Sequence, residues 1–193
     1  MTYTNGDIYE GEWKNDKSFL GKMTYTNGDI YSGYWKNGKK HGDGTLIFKL
    51  GDVYNGIWVD GDMQEGNIRY KNGNIYQGEL YDGEPNDEIE GEMRYKNGDI
   101  YYGGWDSGKI HGEGEMRYKN GDIYDGNWND GKKHGIGKFS INGKILYHGE
   151  WIYDKKHGNG FIYDNKPTYD GVWINHGNTF VNKDILLKIF EFL

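Results

Sequence analysis

One phrase of five residues, Tyr-x-Gly-x-Trp, recurs along the chain at nearly even intervals. The copies begin at Tyr9, Tyr31, Tyr54, Tyr76, Tyr101, Tyr124, Tyr147 and Tyr169. All 7 tryptophans of the chain occupy the last position of a copy, and the copy at Tyr76 has Leu80 there instead. Such regular self-similarity predicts an array in which every copy adopts one supersecondary unit and packs on its neighbours.

Within each copy, apolar residues and glycines alternate with polar residues, which is the period of a β-strand. Tyr101, Gly103 and Trp105 therefore share one face of a strand, and the polar run that follows them indicates a turn. Residues 112–118 alternate again, as a strand does when one face packs and the other meets water. Asn120–Gly121 then predicts a tight reversal, because both positions tolerate positive φ. Each copy is thus predicted to form one β-hairpin.

The core of such an array must be built mainly from rings, since 17% of the residues are aromatic and only 35% are hydrophobic. The glycine between tyrosine and tryptophan leaves bare backbone that a ring from a neighbouring strand can cover. This aromatic content is not typical of a disordered chain. Because the chain has no cysteine, the array is predicted to fold without disulfides or thiolate metal sites.

The full pattern is Tyr-x-Gly-x-Trp, a turn, Lys-x-His-Gly-x-Gly and then Asn-Gly-Asp, as in "YSGYWKNGKKHGDG" at residues 31–44 and "YDGNWNDGKKHGIG" at 124–137. It resembles the MORN repeat (membrane occupation and recognition nexus) over most of the chain. The resemblance implies an elongated, twisted sheet with a groove, in agreement with the alternation. We expect an all-β fold, a single antiparallel sheet of about eight stacked β-hairpins with a short C-terminal α-helix.

The chain divides into three predicted regions: a partial repeat at residues 1–8, the repeat array at 9–180 and a helix at 182–193. The first region matches only the second half of a repeat, so the sheet is expected to begin with an unpaired edge. Two copies could form a homodimer through such open ends. The copy at Tyr76 carries Pro85 and an acidic insertion, which predict a longer hairpin turn. A hinge or an acidic docking site is the alternative there.

The tail "NKDILLKIFEFL" differs in kind from the repeats. Asn182 is a suitable N-cap and Asp184 favours the first turn of a helix. Its apolar residues fall on adjoining stripes and are the candidate helix contacts: Ile185, Leu186, Ile189, Phe190 and Leu193. We expect the helix to cap the array or to lie in the groove. The tail also resembles the first helix of an F-box, which implies recruitment of a ubiquitin-ligase adaptor.

The sequence offers no group of residues typical of a catalytic or metal site. His41, His111, His134 and His157 occupy one position of the repeat, where equivalent residues of adjacent repeats lie about 9–10 Å apart. That separation is too large for a shared zinc ion, whose ligand atoms lie about 2.0–2.1 Å from the metal. Neither a phosphate-binding loop nor a serine nucleophile motif is present. We predict no catalytic residues, no metal, no cofactor and no enzymatic activity.

Two sets of residues are candidates for binding. The first is an aromatic row expected to line a partner-binding groove: Tyr31, Trp35, Tyr54, Trp58, Tyr101, Trp105, Tyr124, Trp128, Tyr147 and Trp151. The second consists of lysine pairs at hairpin tips, the candidate lipid or surface contacts: Lys39, Lys40, Lys132, Lys133, Lys155 and Lys156.

These sets lead to one expected function and two alternatives. We expect a non-enzymatic scaffold that binds a protein partner, or its own C-terminal helix, along the aromatic groove. Peripheral association with anionic phospholipid membranes is the first alternative, and adaptor recruitment through the F-box-like tail is the second. The net charge of −7 disfavours nucleic acid as a partner. Without a secretory leader or a bilayer-spanning run, the expected location is cytoplasmic, with peripheral attachment to a membrane or the cytoskeleton as the variant.

Overall fold

A computed structural model of the chain describes residues 1–15, 17–81, 84–85, 90–163, 167–174 and 179–182. Of residues 18, 81, 167–174, 179–180 and 182, only the backbone is described. The chain forms two compact units, residues 1–96 and 97–193. Within the described residues the regular secondary structure is β-strand throughout, which confirms the predicted all-β class.

The first unit is an antiparallel sheet in which strands that follow each other in sequence are neighbours. Near the end of this unit, β9 pairs with β7, and the short β8 also pairs with the end of β7. The strands are β1 (Ile8–Lys14), β2 (Lys17–Thr24), β3 (Ile30–Lys36), β4 (Lys39–Ile47), β5 (Val53–Val59), β6 (Asp62–Arg69), β7 (Ile75–Tyr81), β8 (Glu84–Pro85) and β9 (Gly91–Arg94).

The second unit repeats the same arrangement, with each strand antiparallel to the one before it. Its strands are β10 (Ile100–Asp106), β11 (Lys109–Arg117), β12 (Ile123–Asn129), β13 (Lys132–Ile141), β14 (Lys144–Ile152), β15 (Lys155–Tyr163), β16 (Pro167–Ile174) and β17 (Thr179–Asn182). The predicted C-terminal helix lies outside the described residues.

Two kinds of turn join the strands. The first kind has two residues, both with positive φ, after Trp35, Trp58, Trp105, Trp128 and Trp151, as at Asn37 (50°) and Gly38 (77°). Both values lie in the left-handed region that a two-residue hairpin loop of type I′ requires, and Asn and Gly are the residues that adopt it most easily. This turn closes the hairpin tightly, and in the repeats of Trp35, Trp128 and Trp151 a lysine pair follows directly after it.

The second turn joins one repeat to the next and corrects the prediction for Asn120–Gly121. It is a five-residue turn in which the Tyr118 N–H donates to the Asp122 carbonyl oxygen at 2.9 Å, and the Gly121 N–H donates to the Tyr118 carbonyl oxygen at 2.9 Å. Only Gly121 has positive φ (91°). Asn120 contributes its side chain instead: Oδ1 accepts from the Asp122 N–H at 3.1 Å and Nδ2 donates to Asp122 Oδ2 at 2.9 Å. The prediction of positive φ at Asn120 was therefore wrong.

Glycines bend each hairpin and make room for a ring. Gly112 has φ of 70° at a point where the register between β10 and β11 shifts, so the strand bends there. Gly103 and Gly114 face each other across the same two strands. A Cβ atom on Gly114 would collide with the side chain of Tyr101, because that ring lies directly over the glycine pair. The repeated glycines thus allow the tyrosine ring to pack against bare backbone.

The copy at Tyr76 keeps this arrangement without a tryptophan. Leu80 fills the tryptophan position and is buried, with 4% of its surface exposed. It pairs with Pro85 of β8, which is also buried. An apolar contact therefore replaces the indole at this repeat, while most of the acidic insertion lies outside the described residues.

Candidate functional site

The aromatic face of each sheet, defined as the side that carries the first tyrosine of every Tyr-x-Gly-x-Trp phrase, is covered by a buried row of tyrosine and tryptophan rings. The Tyr124 ring meets Trp128 of its own repeat edge-on at 4.9 Å and Trp151 of the next repeat at 5.3 Å. Tyr124 Oη donates to the Asn127 carbonyl oxygen at 2.9 Å, and Trp151 Nε1 donates to the Gly137 carbonyl oxygen at 3.1 Å. Each repeat is thus tied to its neighbour by packing and by a hydrogen bond.

The buried row contains the residues that the sequence predicts as groove contacts. Nine of the ten are buried: Tyr31, Trp35, Trp58, Tyr101, Trp105, Tyr124, Trp128, Tyr147 and Trp151. The tenth, Tyr54, is half-buried. Because these rings contact one another and the glycine backbone, other residues supply most of the surface that a partner could reach. Direct contact between these ten rings and a partner stays a prediction.

A second row of aromatic side chains lies beside the first and was missed as a binding candidate. It consists of the residues that open the turn between repeats, and we call it the outer row: Tyr3, Tyr25, Phe48, Tyr70, Tyr95 and Tyr118. All six are half-buried. Burial raises the pKa of Tyr118 to about 12, with nearby carboxylates adding to the shift. The signal in the sequence was the same fixed spacing that marks the tryptophans, but Tyr118 was interpreted as part of the packed face of a strand and not as a binding contact.

The lysine pairs divide into two kinds. The second lysine of each pair lies over rings of the aromatic face: Lys40 Nζ is 4.1 Å from the centroid of Trp58, and Lys156 Nζ is 4.9 Å from that of Tyr147. Lys133 Nζ lies over several rings at once, with Trp151 at 5.4 Å. Burial lowers the pKa of each of these three lysines.

The first lysine of each pair has a different environment, since Lys39, Lys132 and Lys155 are exposed. Alternation along the strand explains the difference, because neighbouring side chains point to opposite sides of the sheet. Contact with lipid stays a prediction for all six lysines, and the exposed three are the ones with accessible ammonium groups.

A cavity of about 450 Å³ opens on the aromatic face of the second unit. It is lined by Asn97, Asp99, Tyr118, Lys119, Asn120, Asp122, Lys133 and Phe139. Lys133 Nζ stands 5.2 Å from the Tyr118 ring centroid and 5.3 Å from that of Phe139. The cavity therefore combines aromatic walls with two lysines and two carboxylates.

The carboxylates at the ends of the turns form a ladder along one edge of each sheet. In each case a side-chain oxygen accepts the backbone N–H of the corresponding turn in the next repeat. The donor and acceptor pairs are Thr26 to Asp7, Lys49 to Asp29, Lys71 to Asp52, Lys96 to Asn74 and Lys119 to Asp99, at 2.6–3.1 Å. The partner of each of these turn side chains is thus the backbone of the following repeat.

A comparison with protein-family models finds MORN repeats at residues 9–30, 31–53, 101–123, 124–144 and 147–165, more than half of the chain. The chain belongs to the MORN-repeat family. Every matched segment begins at the first tyrosine of a Tyr-x-Gly-x-Trp phrase. The positions that recur from one MORN repeat to the next in this chain therefore include those that fill the buried row and the glycine pairs beneath it.

Solved structures similar to this MORN-repeat protein include TCP domains at low sequence identity. The TCP domain of SAS-4 (dCPAP) of Drosophila melanogaster, in complex with a proline-rich motif of Ana2 (dSTIL), is 16% identical with a TM-score of 0.48, over 75% of this chain and 78% of that one. The wild-type TCP10 domain of Danio rerio CPAP is 16% identical with a TM-score of 0.36, over 90% and 99% of the two chains. None of the curated protein sequences compared with the chain matches it.

The histidines of the MORN repeats pack beside the tight turns. The His134 ring lies 5.3 Å from the Tyr153 ring, and the His134 backbone carbonyl lies 3.4 Å from Tyr124 Oη. His41 Nδ1 is 4.0 Å from Asp60 Oδ1. Among the described residues, no three histidine, aspartate or glutamate side chains are grouped so that they could hold a metal ion.

The predicted tail contacts at residues 185, 186, 189, 190 and 193, and with them the F-box likeness, lie outside the described residues. In the part of the chain that the structure describes, no helix has the length and apolar character needed to cross a bilayer.

Proposed function

We propose that this MORN-repeat protein is a non-enzymatic scaffold that binds a segment of a protein partner along its aromatic face. The observation that carries the proposal is the outer row, whose half-buried rings stand beside the fully packed buried row. Half-buried tyrosines offer a partner a large apolar area together with a polar tip, and tyrosine is enriched in binding hot spots.

The repetition of the outer row favours a polymer as the ligand. Equivalent residues of adjacent repeats are two strands apart, about 9–10 Å. A segment that crosses several strands therefore meets the same set of groups again in each repeat, which a small molecule cannot do. Each set contains a ring, a turn carboxylate and, where a lysine pair follows, a half-buried ammonium group.

The titratable groups on this face support binding more than catalysis. Burial raises the pKa of Tyr25 and Tyr118 to about 12 each. A phenol with so high a pKa is a poor acid or base near neutral pH, where general acid–base catalysts are tuned. The half-buried lysines are enclosed by rings of the core and serve to pack it.

The proposal can be tested with peptides selected from a random library against the intact protein. Phe139 lines the cavity together with Tyr118 of the outer row. We expect the Phe139→Ala variant to weaken the affinity of such peptides by about tenfold or more, as hot-spot residues do. Its matched control is Tyr102→Ala, which removes a ring that is 52% exposed on the opposite face. Tyr102→Ala should leave the affinity within about twofold, as most interface-distant positions do.

Circular dichroism of both variants establishes that the fold is intact, and chemical-shift mapping locates the bound peptide. Selected peptides that map to the opposite face, or that bind the Phe139→Ala variant as tightly as the parent, would refute the proposal. Peptide binding that appears only after removal of residues 183–193 would assign the face to the protein's own tail.

A further inference from the structure

The ladder of turn side chains shows which groups of the next repeat pack on a five-residue turn. Lys119 donates its backbone N–H to Asp99 Oδ1 at 2.8 Å and lays its side-chain stem over Gly98, with Cδ 3.1 Å from the position of a Cβ atom there. Lys49 does the same on the preceding unit, with its N–H on Asp29 Oδ1 and its stem over Gly28. Lysines at 71 and 96 repeat the arrangement. One lysine residue thus covers both the carboxylate and the glycine of the turn before it.

The turn at Tyr118–Asp122 offers the same two groups, and no lysine among the described residues repeats this arrangement there. Asp122 Oδ2 accepts from Asn120 Nδ2, whereas no other described residue donates to Asp122 Oδ1. Gly121 has the same left-handed φ as its counterparts, and the position of a Cβ atom on it meets one atom, Asn142 Oδ1, at 3.5 Å. The ladder therefore ends here with an open oxygen and an open glycine.

The break has a sequence cause. Asn142 follows Lys119 at the same interval at which Lys119 follows Lys96, so an asparagine stands at the lysine position. Asn142 and Gly143 have φ of 49° and 76° and form a two-residue turn. That shorter turn replaces the five-residue turn of the earlier repeats, so in the described part of the chain no backbone N–H is presented to Asp122 Oδ1.

The surroundings of the open turn fit a partly apolar segment that supplies a hydrogen-bond donor. The cavity beside it is lined by the rings of Tyr118 and Phe139, by the carboxylates of Asp99 and Asp122, and by Lys119 and Lys133. Asp99 is already engaged with Lys119, so the unused acceptor belongs to Asp122. The net charge of the chain, −7, also favours a cationic partner.

We propose that the turn at Tyr118–Asp122 is a docking site for a lysine-bearing loop of a partner protein. The lysine donates its backbone N–H to Asp122 Oδ1 and lays its stem over Gly121, and the residue before it enters the cavity against Tyr118 and Phe139. This site rests on the proposed function, because it is one place on the aromatic face where a protein segment binds. It specifies the chemistry of that segment: a lysine that makes the same two contacts as Lys49 and Lys119 make with the turns before them.

The test is a titration of the isotope-labelled full chain with a backbone-cyclised peptide that has the sequence of residues 116–123. We expect saturable chemical-shift changes at Gly121 and Asp122. A peptide with glutamate in place of its lysine should bind about tenfold more weakly or worse, since it cannot lay a cationic stem beside the carboxylates.

Variants of the protein locate the site. Asp122→Ala should weaken the lysine peptide by about tenfold, because it removes a charged hydrogen-bond acceptor. Asp122→Asn should retain part of the affinity, as Asn74 accepts from the Lys96 N–H in the ladder. Asp29→Ala is the matched control at a covered turn, and it should change the affinity by less than about twofold because the peptide does not reach that turn.

Several results would overturn the docking site. One is the absence of saturable shifts at about 1 mM peptide, which sets the affinity below a useful range. Another is equal affinity for Asp122→Ala and the parent. Self-association of the chain that disappears in Asp122→Ala would show that a second copy fills the turn. If library-selected peptides bind through Phe139 but ignore Asp122, the docking site fails while the scaffold function stands.

Discussion

Tyr124 and Tyr118 are the same residue type on the same face of neighbouring strands, and they differ in what surrounds them. Tyr124 is fully buried, because it lies over a glycine pair and a tryptophan of the next repeat closes over it. Tyr118 opens a turn, where no glycine pair lies beneath it, and it is half-buried. The buried row therefore holds the MORN repeats together, while the outer row keeps part of its surface exposed, which is why we propose it as the binding surface.

The largest expected effect on stability comes from replacing each of the two tyrosines with alanine. Tyr124→Ala should lower the free energy of unfolding by about 3–5 kcal/mol, as other buried aromatic residues do when truncated. Tyr118→Ala should cost about 1 kcal/mol, the average for a point substitution. Urea denaturation followed by tryptophan fluorescence measures both. Equal losses for the two variants would show that the rows do not differ in their structural role.

The glycine pairs should respond strongly for the same reason. Gly114→Ala places a methyl group against the ring of Tyr101 and should cost about 1–3 kcal/mol, as overpacking does. The control is Gly131→Asn, at a left-handed turn position with nothing within 4 Å of the added Cβ atom. It should cost about 0.5 kcal/mol or less, because Asn adopts this conformation readily. Thermal denaturation of the two variants measures both losses. A larger loss for Gly114→Ala than for Gly131→Asn would show that glycine is needed at position 114 because the Tyr101 ring leaves no room for a side chain.

The indole hydrogen bond gives a smaller effect. Trp128 Nε1 donates to the Gly114 carbonyl oxygen at 3.0 Å. Trp128→Phe removes this donor and should cost about 0.5–1.5 kcal/mol, the net contribution of a typical hydrogen bond. Trp13 is 44% exposed and is the matched member of the row. Trp13→Phe should change stability by about 0.5 kcal/mol or less. A large loss of unfolding free energy in Trp13→Phe would indicate that an indole stabilises the fold even where it is exposed to solvent.

The smallest effect concerns alkaline pH and the outer row. Burial raises the pKa of Tyr118 from 10.0 to about 12 in the folded protein. The neutral phenol therefore favours folding below pH 10, and this contribution is lost as the pH rises from about 10 to 12. In the Tyr118→Phe variant, the free energy of unfolding should fall less steeply over that interval. Identical slopes for variant and parent, measured by urea denaturation at several pH values, would place Tyr118 in water rather than at the half-buried edge.

Much of the fold followed from local pattern. The strict spacing of Trp105 and Trp128 after their tyrosines, together with period-two alternation, predicted antiparallel hairpins because the strand period depends only on backbone geometry. The turn at Asn120–Gly121 was predicted in place but not in form. Its conformation depends on a side-chain bond between Asn120 and Asp122, which competes with the two-residue turn that the dipeptide also permits.

The candidate site was predicted less well, because accessibility is a property of neighbours. The sequence singled out Trp105 and Trp128 as groove contacts, and the folded chain encloses both. It grouped Lys132 with Lys133, although strand alternation exposes one and places the other over rings. Residue types alone do not show which rings are buried or which lysine of a pair packs on rings. Both depend on the side chains of the next repeat that pack against them.

By itself, the sequence determined a stack of aromatic MORN hairpins, because repeated spacing and alternation act within each strand. Only the tertiary structure decided which rings are enclosed and where the turn ladder ends. At Asp122 the carboxylate is the same as in the earlier turns, yet its acceptor oxygen is open because a shorter turn follows. Enclosure and hydrogen-bond satisfaction depend on contacts between repeats, so they are settled only when the repeats pack.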